Sequence, residues 1–169
     1  MAVVFTKSAA LTAMDTPGAA LPAARLARTD LQTAIGKVEV SATDSIASIL
    51  RFVRVPSNAR VSQVLLRCTA TTGAIGDIGV YRYSKETAAA GTVVDVDLFA
   101  SAQTFAAALA IWTDVTNESL LYTPTLLEQP LWQAAGLAAD PGGLLEIAAT
   151  LTAAATAAGQ VTIEVRYAV

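Results

Sequence analysis

Histidine is absent from this sequence, and cysteine occurs once, at Cys68. The first absence removes the commonest general base, the Ser-His-Asp and Cys-His arrangements and most zinc sites. The second excludes an intrachain disulfide, and a lone thiol in a strand is by default a small buried hydrophobe. Charge is scarce too: Asp, Glu, Lys and Arg make up 15% of the chain, the net charge is −3, and no basic cluster occurs. Phosphate neutralisation, and with it nucleic-acid binding, is therefore not expected. Aromatics amount to 6% although apolar residues reach 54%, because much of the apolar count is alanine. Each alanine buries little area, so the core must be assembled from many small contacts.

Two uncharged stretches, residues 98–113 and 147–160, are Ala- and Thr-rich and short for a membrane span. Neither reads as transmembrane. No secretory leader is expected either, since Asp15 and Pro17 interrupt the apolar run that follows Lys7. A chain of 169 residues suits one domain with a real core, or one domain plus an arm. Residues 1–32 read as an N-terminal arm, with Thr16-Pro17-Gly18 and Leu21-Pro22 among alanines, and residues 33–169 as the folded domain.

The domain is organised around residues 46–69. Two β-rich runs flank Pro56-Ser57-Asn58-Ala59-Arg60, a hairpin or corner signal in which Pro56 must end the first strand. Strict alternation puts Ile49, Arg51, Val53 and Val55 on one face, with Leu50 and Phe52 opposite. In the second run Val64, Leu66 and Cys68 share a face. Further on, Ile78 and Val80 point inward, with Tyr81 and Tyr83 on the other side, and Gly79 marks a bulge or a close backbone approach. Residues 84–91 read as a small loop and 101–110 as a short helix or irregular bridge. Residues 112–119 are polar and turn-prone. Thr125 and Glu128 match a capping box opening a short helix that Gly136 stops. Leu145, Ile147, Ala149 and Leu151 form one strand face, and Val161, Ile163, Val165 and Tyr167 another, the two strands reading as a hairpin. With about seven or eight strands and no βαβ alternation, the fold class is all-β, with one or two short helices. The best architecture is an antiparallel β-sandwich of jelly-roll type.

Candidate chemistry is thin. Asp77, Asp95 and Asp97 could approach calcium, but they lie on strands, whereas calcium sites use compact loops supplying six or more oxygens. Asp114 and Glu118 form an acid pair without a sugar platform, and Glu128 is accounted for by the capping box. No metal, cofactor or catalytic residue is expected. Tyr81, Arg82 and Tyr83 form an exposed-looking aromatic and cationic cluster that suits a protein contact.

Five segments, taken together, resemble the cement or decoration proteins encoded beside the major capsid protein in tailed phages. They are Asp44-Ser45-Ile46, Arg54-Val55-Pro56-Ser57-Asn58-Ala59-Arg60-Val61, Asp77-Ile78-Gly79-Val80-Tyr81, Phe99-Ala100-Ser101 and Pro130-Leu131-Trp132. The resemblance covers most of the chain from about residue 40. It implies a jelly-roll sandwich on the outer capsid surface of the virion, assembled in the host cytoplasm and bridging capsid subunits. No enzymatic activity is implied. The implied partners are the major capsid protein and a second copy of the chain, a homodimer being favoured over a trimer. Nucleic acid, membrane and small-molecule substrates are not implied. The residues expected at capsid or subunit contacts are Phe5, Leu11, Arg54, Arg60, Tyr81 and Tyr83. Competing readings are a tail or fibre adaptor and a carbohydrate-binding jelly-roll module.

Overall fold

Among the described residues, alternating apolar side chains produce eight strands and one helical turn. The computed structural model describes residues 30–83 and 92–169. The elements are β1 (Gln32–Val40), β2 (Ile49–Pro56), β3 (Arg60–Cys68), β4 (Ile75–Arg82), β5 (Val93–Thr104), β6 (Leu109–Asp114), α1 (Leu131–Ala134), β7 (Leu144–Ala153) and β8 (Gly159–Ala168). One sheet has the order β1-β8-β3-β6 and the other β2-β7-β4-β5. Every ladder is antiparallel. The first strand pairs with the eighth, the second with the seventh, the third with the sixth and the fourth with the fifth. This is a long hairpin rolled into two sheets, the jelly-roll arrangement expected from the sequence.

The inner faces carry the predicted sets. Val64, Leu66 and Cys68, Ile78 and Val80, Leu145, Ile147, Ala149 and Leu151, and Val161, Ile163 and Val165 are all buried. Small side chains fill the gaps between them: Ala59, Ala74, Ala100 and Ala155 are also in the core. On one flank the edges β1 and β2 meet so closely that a Cβ at Gly36 would overlap the Phe52 carbonyl. Gly79 plays the predicted role on β4, where a side chain would overlap the β5 backbone at Asp95 and Val96. The register of β5 against β4 is broken three times in this region.

Several expectations are corrected. Of the two readings of residues 46–69, hairpin or corner, the corner holds: β2 lies in one sheet and β3 in the other. The strands β7 and β8, expected to form a hairpin, likewise lie in different sheets. A short connection can turn a chain back on its own sheet or carry it across to the facing one, and turn residues alone do not distinguish these. Residues 101–110 contain no helix; β5 runs through Thr104, and a short link around the buried Phe105 leads into β6. Trp112 lies in β6 rather than in a turn. The capping box does not form, because α1 begins only after Pro130 and has no side-chain cap. The Thr125 hydroxyl hydrogen-bonds that of Thr123 instead, at 2.8 Å. Gly136 does end the helix, at φ +78°.

Strict alternation in β2 also fails. A bulge between Arg51 and Val53 inserts Phe52, so Leu50, Val53 and Val55 all point into the core. The same shift leaves Arg51 and Arg54 together outside it. Residues 84–91, expected as a loop, and residues 1–29 of the expected arm at 1–32 lie outside the described residues, and Phe5 and Leu11 with them.

Candidate interaction surface

The β2–β3 corner is built from backbone pairs to two distant segments. The Ser57 N–H donates to the Gly143 carbonyl at 2.9 Å, and the Ser57 hydroxyl donates to Asp140 Oδ1 at 2.6 Å. Asp140 also accepts from the Gly142 N–H. These hydrogen bonds, that of Ser57 foremost, hold its carboxyl below the usual carboxylate range. The Leu131 N–H donates to the Ala59 carbonyl at 2.7 Å, and the Trp132 N–H to the Ser57 carbonyl at 3.1 Å. Arg60 Nε donates to the Glu128 carbonyl at 2.6 Å. The segments 54–61 and 130–132, quoted separately in the sequence, therefore meet at one end of the sandwich. Likewise Ile78 pairs with Ala100, and Asp77 Oδ1 accepts the Ala102 N–H at 2.7 Å, joining segments 77–81 and 99–101.

On the outside of the sheet containing β7, Glu146 is the centre of a charged cluster. Arg51 grips it through two parallel hydrogen bonds, Nε to Oε2 at 2.7 Å and Nη2 to Oε1 at 2.6 Å. Arg54 Nε adds a third at 2.8 Å. The guanidinium carbon of Arg54 lies 4.3 Å from the centroid of the Tyr83 ring, a cation–π geometry. Burial pushes the Glu146 carboxyl up, but the hydrogen bonds and charges of Arg51 and Arg54 outweigh it, and its pKa ends below the ordinary value. The predicted residues Arg54 and Tyr83 are thus brought together. Arg60 sits at the nearby corner. Tyr81 is corrected: its exposed reading fails, because the side chain is 0% exposed and its hydroxyl hydrogen-bonds Thr150. Alternation places Tyr81 on the side opposite Val80, but that side is itself covered, with the β5 backbone lying against neighbouring Gly79.

The acids considered for chemistry serve local structure. Asp114 Oδ1 accepts from the Thr116 N–H and hydroxyl, and Oδ2 from Gln63. Glu118 Oε2 accepts the Ser101 N–H at 2.8 Å. Asp95 accepts a long bond from the Asp97 N–H, and burial raises its carboxyl above the ordinary value. Cys68 is buried, its thiol facing the Ala107 carbonyl, and burial pushes its pKa up. Among the described residues, no three His, Cys, Asp or Glu side chains gather as a metal site would require. No helix among them is long and apolar enough to cross a membrane.

Sequence reasoning missed the most exposed large apolar side chains among the described residues. Ile111 on β6 is 78% exposed, and Leu120, on the loop after β6, is 75% exposed with Leu121 beside it. The available signal was a Leu-Leu pair directly after the turn formers Asn117 and Ser119.

No family model matches the chain, and no curated protein matches it. Among solved structures, the chain is similar to one in the capsid asymmetric unit of cyanophage Pam1. The two share 18% identity over 83% of this chain and 86% of that one, with a TM-score of 0.47. A chain from the acid-stable capsid structure of Helicobacter pylori bacteriophage KHP30 matches at 15% identity, covering 83% of this chain and 94% of that one, with a TM-score of 0.36.

Proposed function

We propose that this chain is a structural virion protein that binds the outer surface of a tailed-phage capsid and cements neighbouring capsid subunits. The observation that carries the reading is that four of the five segments through which the sequence resembles phage decoration proteins meet in two pairs. The corner at 54–61 and the turn at 130–132 build one end of the jelly roll through main-chain pairs, and 77–81 pairs with 99–101 along β4 and β5. Asp114, Glu118 and Asp140 hydrogen-bond backbone N–H groups of turns and strands, and Cys68 lies in the core. Binding to the capsid is additive: each copy buries modest area, and many copies on a symmetric shell act together. The Arg54–Tyr83 pair and Arg60, at the corner end, are the described residues best placed for capsid contact. Phe5 and Leu11 are the proposed contacts of the arm.

The test is particle reconstruction and thermal challenge of heads with and without the protein. The reading expects many symmetry-related copies on the outer shell, and heads that release DNA at lower temperature when the protein is missing. A few copies confined to the tail, or unchanged head stability, would overturn it.

A further inference from the structure

The loop after β6 presents an apolar knob. Ser119 pins it from one side, its N–H donating to the Phe99 carbonyl at 3.1 Å and its hydroxyl to the Leu98 carbonyl at 2.9 Å. Tyr122 pins it from the other, with its buried hydroxyl donating to the Val61 carbonyl at 2.8 Å. Between these anchors Leu120 holds φ +65°. For a residue with a side chain that conformation costs about 1 kcal/mol, and here it leaves the side chain in water. Leu121 is exposed next to it, and Glu118 is exposed two residues before it.

Elsewhere on the same chain is a groove of about 470 Å³ on the outer side of the sheet holding β3, β6 and β8. Leu109, Ala110 and Trp112 supply an apolar wall, and Arg67, Gln160 and Thr162 a polar one. A cavity of about 150 Å³ admits a benzene ring, so this groove has room for two leucine side chains. Knob and groove are separate: the groove lies at the Cys68 end of β3, while the knob loop is tied to Val61 at the other end. They match in charge as well as in apolar character. Arg67 is exposed on the groove rim and makes no ion pair with another described residue, and Glu118 flanks the knob.

We infer that a second copy of this chain docks here, the Leu120–Leu121 knob of one copy entering the Trp112 groove of the other, with Glu118 facing Arg67. The contact joins two different patches. Exchanged both ways about a two-fold axis it gives a dimer, and repeated in one direction it gives a ring. It goes beyond the capsid reading and does not depend on it, because the test uses the isolated chain.

The test is sedimentation of the full chain at roughly 100 µM, far above a micromolar dissociation constant. Leu120→Asp disables the knob, and Arg67→Glu disables the groove at an exposed position that β6 packing does not need. Thermal melts followed by circular dichroism establish that both variants fold. The wild type is expected to run as an oligomer and each variant as a monomer, with self-association weakened at least a thousandfold. Mixing the two variants is expected to restore a one-to-one complex, since one keeps its groove and the other its knob. A monomeric wild type, as for a groove that takes some other partner, would overturn the inference. So would a Leu120→Asp variant of wild-type mass, or a mixture that stays monomeric.

Discussion

Glu146 on β7 is 3% exposed and is gripped by Arg51 on β2 through two hydrogen bonds of 2.7 and 2.6 Å. Fork-to-fork pairing of this kind is the strong form of the arginine–carboxylate contact. Removing the carboxylate would leave Arg51 and Arg54 side by side without their shared counter-charge. Glu146→Ala is therefore expected to lower unfolding free energy by about 3 kcal/mol, at the low end for a broken buried pair because both arginines reach solvent. The same pair makes stability pH-dependent. The folded pKa of Glu146 lies below its ordinary value, so its contribution is complete above the unfolded pKa and is lost as pH falls through the folded one. Urea melts of wild type and Glu146→Gln should differ at pH 7 and converge toward pH 3. Parallel curves across that range would assign the stabilisation to something other than the ion pair.

Gly79 faces the β5 backbone so closely that a methyl group would overlap Asp95 and Val96. Neither neighbour is a flexible side-chain end that could swing away. Gly79→Ala should destabilise by about 3 kcal/mol, the upper range for overpacking, and lower the melting temperature by roughly 9 °C. Gly142, by contrast, has open space around it, although at φ +69°. Gly142→Ala should cost only the backbone strain, about 1 kcal/mol. Calorimetry on the two variants compares crowding with strain directly, and equal melting temperatures would contradict the assignment.

The contrast between β8 and β2 shows how far the sequence could be read. In β8, Val161, Ile163 and Val165 alternate without interruption, and all three are buried as alternation requires. In β2 one inserted residue, Phe52, rotates the rest of the strand, and nothing in the local composition announces it. That single bulge places Arg54 beside Arg51, so the Glu146 cluster was invisible to periodicity. The turn at Pro56 was legible because proline and serine dictate local backbone. The sheet that receives β3 is decided by long-range pairing with β8, 100 or so residues away along the chain. Tyr81 failed for a related reason: period two gives a side, but the cover over that side comes from a distant strand.

Tyr122 is buried against Phe99, with ring centroids 5.1 Å apart, and its hydroxyl satisfies the Val61 carbonyl. Burial drives the phenol pKa upward, so the group stays neutral throughout the usual range of pH. Tyr122→Phe keeps the ring packing and removes only the hydrogen bond, leaving a buried carbonyl unpaired. The expected loss is about 1 to 2 kcal/mol, read from denaturant midpoints at constant m-value. Tyr122→Ala should lose about 4 kcal/mol, because the ring goes as well. If the phenylalanine variant matched wild type, the hydrogen bond would be thermodynamically silent.

Arg60 ties the corner to the segment before α1 by donating to the Glu128 carbonyl at 2.6 Å. In the proposed virion role this end of the sandwich faces capsid, and Arg60→Glu reverses a charge there while dropping the tie. The fold should survive, since that bond lies at the surface and its loss costs about 1 kcal/mol, a fall of roughly 3 °C in melting temperature. Head binding should suffer far more, by at least tenfold in co-sedimentation with heads stripped of the protein. Arg60→Lys keeps the charge but not the planar fork, and should fall between the two. Full occupancy by a folded Arg60→Glu variant would move the capsid contact to another face of the sandwich, whereas loss of occupancy in step with unfolding would make Arg60 a residue of the corner alone.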